Sequence, residues 1–414
     1  MHFDPAAHGV HQYLFPTRFF EEQTRASLTP LPGAAVRADL KLRLMDAVEH
    51  LTDTSEPETD LAIYLALLLQ HAFTGFDQHA AANHRNRALC WWLNVGFPAK
   101  RIEGNSRLFA SYTRACTAAA RAVDADEPIC RALIQRCFAP QPATNLASRI
   151  APDRIHLYPE IAAQLAGYAY SPYRKDGPLL LIDIGAGTLD VSTLILHRCE
   201  GEQICSFHFC EVVQLGAFRL YQETHSALQR IAPASLLPLV SASADPAWLP
   251  PASPRDLLVP HAILSPGLQQ VFFQTRSAFA ERCLDSCHTN FARFKAYLDE
   301  PFLVENLRPP VFKKTVNFIL SGVGSRAQFY CDLYPDKLEE RILNLTDWHP
   351  ELSGRRKNEQ GLQRIYFTQP DKFRAAAIGP TDFDRLSVAH GLSMSVETLM
   401  RITAKEASDG HPGT

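Results

Sequence analysis

Two aspartates, Asp183 and Asp190, flank a glycine-rich turn in LLLIDIGAGTLDVSTLIL, residues 179–196. A turn of this composition presents backbone N–H groups as a concave cradle for anionic oxygens. Carboxylates at its edge would repel a phosphate unless a divalent cation lay between them. The chemistry implied is that of a metal–nucleotide. Asp183, where the first limb ends, is placed to hold a magnesium-bound water or to orient an attacking water, and Asp190 is the second metal-side carboxylate. Gly185 and Gly187 permit a tight turn and let phosphate approach the main chain, with Ala186 between them, and Thr188 offers a hydroxyl. The alternative is an ordinary β-hairpin with a D-x-G turn.

The limbs on either side must be strands to hold that turn. PLLLID is continuous and apolar, as a central strand buried on both faces should be, and LDVSTLIL partly alternates. Upstream, residues 35–95 are mostly helical in pattern, with ADLKLRLMDAVEHL and TDLAIYLALLLQHAF placing apolar residues at helical intervals. ALCWWLNVGFP reads as a short buried strand ending at Pro98, followed by an amphipathic stretch, SRLFASYTRACTAAARAV. In RIHLYPEIAAQLAGYAY, Ala162, Ala163, Ala166 and Gly167 form a small-residue helix face that permits close backbone approach. Residues 233–266 carry eight prolines, so this stretch, with Trp248 inside it, reads as a surface loop or docking arm. A longer helical region, VFFQTRSAFAERCLDSCHTNFARFKAYL, precedes VNFILSGVGSRAQF, a strand ending in glycines and a helix start. The last helical pattern is VETLMRITAKEA.

Composition narrows the function classes. A chain of 414 residues exceeds what one hydrophobic core usually serves, so two lobes are expected. A net charge of −3 and the lack of a long basic run argue against nucleic acid as a partner. No stretch of about 18 apolar residues and no leader pattern stands out, so neither a membrane span nor export is expected, and the cytoplasm is the expected compartment. The ten cysteines are scattered, as befits reduced thiols. Cys283 and Cys287 fall on one helix face with His288 pointing elsewhere; two convergent ligands make a poor zinc site, and they read as core cysteines.

DIGAGTLDVSTL resembles the second phosphate loop of the actin-like ATPase superfamily, the fold shared by actin, sugar kinases and DnaK-type (seventy-kilodalton heat-shock) chaperones. Further segments resemble those chaperones in order. FPTRFF is similar to the segment after their first hairpin. NVGFPAKRIEGNSRLFASYTRA resembles their strand, proline and arginine-bearing helix, with Pro98 and Arg107 the matching positions and Arg107 displaced by one. LYPEIAAQLAGYAY looks like the first hinge helix, QLGAFRLYQ with Gly216 like the loop that contacts phosphate in the second lobe, and TRSAF like the start of a second-lobe helix. ILSGVGSRAQF looks like the adenosine loop.

The resemblance implies an α/β chain with a two-lobed actin-like ATPase (ribonuclease H-like) fold and a nucleotide cleft between lobes. Lobe I would span 1–178 with a helical insertion at 35–95, and lobe II 179–376 with the proline-rich loop. A C-terminal helical segment, 377–408, would return to lobe I ahead of a disordered tail, 409–414. ATP or ADP with Mg²⁺ would be the cofactor. Gly322, Gly324 and Ser325 would lie against adenine or ribose with Arg326 stacked on the base, unless Arg326 is a solvated surface arginine. Where these chaperones place a glutamate before the hinge-helix proline, Tyr158 stands here. Glu160, just after the proline, is then the acid that helps place the attacking water, or else a helix-start acid favoured by the dipole.

Two departures shape the expected function. The superfamily's first phosphate loop, an aspartate-led D-x-G-T hairpin, has no counterpart in MHFDPAAHGVHQYL. Either the reading frame begins upstream, or the vacated sheet edge is filled by N-terminal residues or a partner strand. ATP binding with slow or absent hydrolysis follows. After IGPTDFDRLSVAHGLS too little chain remains for a peptide-gripping β-sandwich. The expectation is a nucleotide-dependent switch acting on a dedicated protein partner; the alternative is a pseudo-ATPase scaffold that has lost catalysis.

Overall fold

The computed structural model describes residues 18–79, 84, 89–98, 106–125, 127–139, 149–171, 174–199, 202–231, 266–298, 315–334, 336–343, 361–365, 387–388 and 390–394. The N-terminal stretch expected to lack a phosphate loop, most of the proline-rich arm with Trp248, most of segment 377–408 and the tail lie outside these residues. The chain is mixed α/β and forms two compact units. One comprises Ala7–Pro98 and Glu103–Glu160, and the other Met1–Ala6, Ala99–Ile102 and Ile161–Thr414.

The first unit opens with a small antiparallel sheet in which β1 (Phe19–Glu21) lies between β2 (Ala26–Ser27) and β3 (Ala35–Arg37). Helix α1 (Leu40–Glu49) buries Leu40, Leu44, Met45, Ala47 and Val48, the stripe its sequence pattern predicts. Helix α2 (Ser55–His79) follows, then β4 (Leu93–Phe97), α3 (Ser106–Asp124), α4 (Arg131–Phe138) and β5 (Ile155–Pro159). In α3 the buried residues Leu108, Tyr112, Ala115, Ala119 and Ala122 recur every three or four positions. β4 pairs in parallel with β5, Leu93 opposite Ile155. Of β4 only Phe97 is buried; the rest is half-buried rather than the fully buried strand its apolar run suggests. Among the described residues β4 has one strand neighbour, and Leu93 and Ile155 pack with Phe73, Ala120 and Ile150.

A network of arginines and carboxylates ties these elements together. Arg131 of α4 donates two hydrogen bonds of 2.8 Å to Glu21 of β1 and one of 2.5 Å to Asp60 of α2. Arg43 of α1 reaches the other oxygen of Asp60, also at 2.5 Å, and Arg37 of β3 donates to Glu21 and Glu56. Asp60 is fully buried, so its charge depends on both guanidinium partners. Arg114 of α3 grips Glu58.

Helix α5 (Glu160–Ala169) begins with Glu160 in the first unit and continues in the second. Beyond it come β6 (Gly177–Ile184), β7 (Leu189–Cys199), β8 (Glu202–Val213), α6 (Ala217–Gln229), α7 (Pro266–Leu298), β9 (Thr315–Ser321), α8 (Gln328–Leu333), α9 (Asp336–Leu343) and β10 (Gly361–Ile365). The sheet order is β10-β9-β6-β7-β8, with β10, β9 and β6 parallel and the β6-β7-β8 meander antiparallel. β6 is central, which accounts for the unbroken apolar run Leu179–Ile182. Pleating sends Leu180, Ile182 and Ile184, with Leu189 and Val191, into a core shared with Phe279, Cys283, Cys287 and Phe291 of α7. Cys283 and Cys287 are thus core residues, as expected, and burial pushes both thiols up, Cys287 to about 12.

The small-residue face of α5 meets a short helical piece at 390–392. A Cβ on Gly391 would lie 1.7 Å from the carbonyl oxygen of Ala163, and one on Gly167 would lie 3.0 Å from His390 Nδ1. Two backbones therefore approach here more closely than any larger residue allows.

Candidate functional site

The hairpin register sets the two acids. Asp183 of β6 lies directly opposite Asp190 of β7, and in parallel pairing opposite Ser321 of β9. Side chains of directly opposed residues project from the same face of a sheet, so Asp183, Asp190 and Ser321 form a row across three strands. That row is on the face away from Ile182, Ile184 and Leu189, which enter the core. Ser321 donates its hydroxyl to Asp183 Oδ1 at 3.2 Å. The row sits at the carboxyl ends of parallel strands β6 and β9, where open α/β sheets place their ligands.

The turn between β6 and β7 closes with the Gly185 N–H donating to Thr188 O at 2.9 Å. Neither Gly185 nor Gly187 has a positive φ, so the turn itself does not demand glycine by conformation. What surrounds it does. The N–H groups of Gly216, Ala217 and Phe218 donate to the carbonyls of Gly187, Gly185 and Ala186 at 3.2, 3.0 and 2.7 Å. A planar trans peptide points its C=O and the following N–H in opposite directions. With three carbonyls turned to the start of α6, the N–H groups of Ala186, Gly187 and Thr188 are turned away from it. Successive N–H groups turned outward on a loop are an arrangement able to cradle an anion. Thr188 is buried, and a Cβ on Gly185 would lie 3.7 Å from its Oγ1.

Gly216, expected as a phosphate contact, has its N–H engaged by Gly187. Its φ of −76° is open to any residue, but a Cβ there would lie 2.5 Å from Ala186 O and 2.6 Å from Gly187 C. The segment expected to hold adenosine packs against the end of β6 that leads into this loop. Gly322 has φ +80°, and a Cβ on it would lie 2.3 Å from Asp183 Oδ1; one on Gly324 would lie 2.6 Å from Ile184 Cγ2. Ser325 is buried, its hydroxyl donating to Gly322 O at 2.7 Å, and Arg326 is half-buried in the 3-10 turn Val323–Arg326. The second unit therefore brings together Asp183, Asp190, Gly185, Ala186, Gly187, Thr188, Gly216, Gly322, Gly324 and Ser325.

Glu160 belongs to the first unit, where Lys41 Nζ donates to its Oε2 at 2.5 Å. Beside it the Tyr112 phenol is pushed up, first by burial and then by the Glu160 charge. Arg107 donates to Thr52 O at 2.8 Å. Lys41 was missed from sequence because it stands 119 residues from Glu160 on an unremarkable helix face. Tyr330, whose hydroxyl donates to Leu215 O at 2.9 Å, was missed for a similar reason.

Among the described residues no group of three or more His, Cys, Asp or Glu side chains is arranged to hold a metal alone. Two carboxylates beside an anion cradle instead suit Mg²⁺, which keeps waters and shares ligands with phosphate oxygens. No described helix is long and apolar enough to cross a membrane.

No family model and no curated protein matches the chain. Among solved structures, a pCBH ParM non-polymerisable quadruple mutant is 15% identical, covering 57% of this chain and 56% of its own, with a TM-score of 0.27. An Alp12 filament structure is 10% identical, covering 57% and 52%, with a TM-score of 0.24. The chain spans about half the length of these structures.

Proposed function

We propose that the chain is an ATP-binding, DnaK-like nucleotide-dependent switch of the actin-like ATPase kind, acting on a dedicated protein partner. The observation that carries the reading is the loop at 185–188. Its carbonyls are bound to the start of α6, its N–H groups of Ala186, Gly187 and Thr188 are turned outward, and Asp183 and Asp190 stand opposite each other at its base. Such a loop binds phosphate oxygens, and the acid pair calls for Mg²⁺ between it and the phosphates. Gly322 and Gly324, packed against the Asp183–Ile184 end of β6, with Ser325 and Arg326 in the same turn, are the proposed base-side contacts, and Glu160 the proposed water-positioning acid. Cytoplasmic location and action through a protein partner belong to the same reading.

Thermal unfolding with and without Mg-ATP tests it. A ligand at about 100 times its dissociation constant adds ~2.7 kcal/mol, which raises the midpoint by roughly 5–10 °C for a unit of this size. An unshifted midpoint at millimolar Mg-ATP sinks the proposal. A second reading is a pseudo-ATPase scaffold that binds nucleotide without turnover. Phosphate release over hours from a chain that binds Mg-ATP separates the two.

A further inference from the structure

The four leading N–H groups of a helix have no partner within the helix and must find one elsewhere. At the start of α6 three of them, on Gly216, Ala217 and Phe218, are used on the carbonyls of Gly187, Gly185 and Ala186. The helix start is therefore occupied by the loop and is not itself the anion site. Its approach is limited by one missing atom, the Cβ of Gly216, which would fall 2.5 Å from Ala186 O. The chain entering the helix is pinned from the other side: the Leu215 carbonyl accepts from the hydroxyl of Tyr330, a fully buried residue of α8, at 2.9 Å. Gly324 closes the arrangement, since a Cβ there would lie 3.0 Å from Ala217 Cβ.

We infer that Gly216 and Tyr330 are positioning residues that clamp the 185–188 loop in its anion-binding form. Tyr330 fixes the carbonyl of Leu215, and Gly216 lets α6 reach three consecutive loop carbonyls. The planar peptides then turn three N–H groups outward together. The inference rests on the phosphate-binding reading of that loop. It assigns to Gly216 a hold on the loop in place of a direct phosphate contact, and it makes α8, the helix after the proposed adenosine turn, part of the phosphate site.

Three variants of the full chain test it, each with its fold checked by circular dichroism. Gly216→Ala inserts the forbidden methyl. Tyr330→Phe removes one hydroxyl and keeps the ring. Tyr334→Phe removes another buried hydroxyl from the same core, one whose neighbour is Cys287 Sγ at 3.6 Å, and keeps the backbone N–H through which Tyr334 donates to Tyr330 O at 3.0 Å. The probes are Mg-ATP and adenosine. Tyr330→Phe is expected to weaken Mg-ATP about five- to tenfold, the worth of one buried hydrogen bond, and Gly216→Ala more. Adenosine affinity should stay within twofold in both, and Tyr334→Phe should change neither ligand. If Gly216→Ala is unfolded, Tyr330→Phe carries the test. Unchanged Mg-ATP affinity in Tyr330→Phe, an equal loss for adenosine, or an equal loss in Tyr334→Phe overturns the clamp while the nucleotide reading stands. A wild-type chain that binds no Mg-ATP overturns both.

Discussion

Gly322 meets two demands at once: a φ of +80°, and an Asp183 oxygen where its Cβ would be. Only the first is a matter of backbone preference: with ψ 158° it falls in a region nearly confined to glycine, costing about 1–3 kcal/mol for another residue. Gly322→Ala is therefore expected to lower stability by more than that and to displace the Asp183 carboxylate, read as a lower midpoint together with weaker magnesium dependence of nucleotide binding. Gly187→Val should obstruct phosphate at the loop, and Asp183→Ala should weaken the magnesium dependence while leaving the fold; retention of the full Mg-ATP shift in both would remove the loop from the site. The acid pair and the glycine turn were legible because a hairpin places residues on either side of its turn opposite one another. The Lys41–Glu160 and Tyr330–Leu215 contacts were not, since no local period links positions 119 and 115 residues apart.

Strand β8 and the arginine network respond to acid in different windows. His208 of β8 packs against the Phe294 ring, and burial, with the charge of His197 second, holds it down to about 4 from an ordinary 6.5. Its folded state is neutral where the unfolded chain takes up a proton, so this contribution is complete above pH 6.5 and is lost as pH falls towards 4. One proton is worth at most about 1.4 kcal/mol per pH unit, and His208→Phe should flatten the stability profile between those values. Glu21 is raised by burial, but the hydrogen bonds and charges of Arg131 and Arg37 outweigh that and hold it below its ordinary 4.5. Its contribution is present above 4.5 and lost below it. Arg131→Ala should cost about 3 kcal/mol at neutral pH, because buried Asp60 loses a partner, and should show a shallower loss below pH 4.5. Denaturant unfolding at stepped pH checks both; parallel profiles for wild type and variants would refute them. Helices α1, α2 and α3 were legible from their stripes, whereas the half-burial of β4 depended on a partner strand that its own residues do not name.

Each unit has its own core, one including Phe73, Ala120 and Ile150 and the other built on β6, β7, β9 and α7. Calorimetry of the chain is expected to give a measured enthalpy larger than the van't Hoff value, the mark of more than one cooperative unit; a ratio of one would show that they melt as one. The need for two cores was legible from length, and the glycine loops from their spacing. Strand order was not, because β6 takes one neighbour from the adjacent segment and the other from 138 residues downstream, the separation of Asp183 and Ser321. That separation has a consequence for how the chain comes into being. At synthesis rates of about 5–20 residues per second, the meander β6-β7-β8, which ends at Val213, leaves the ribosome roughly 5–20 s before β9. For that interval the edge of Leu179–Ile182, the most apolar strand of the sheet, has no native cover, so nascent chains stalled between β8 and β9 should be the species that aggregates or recruits chaperones.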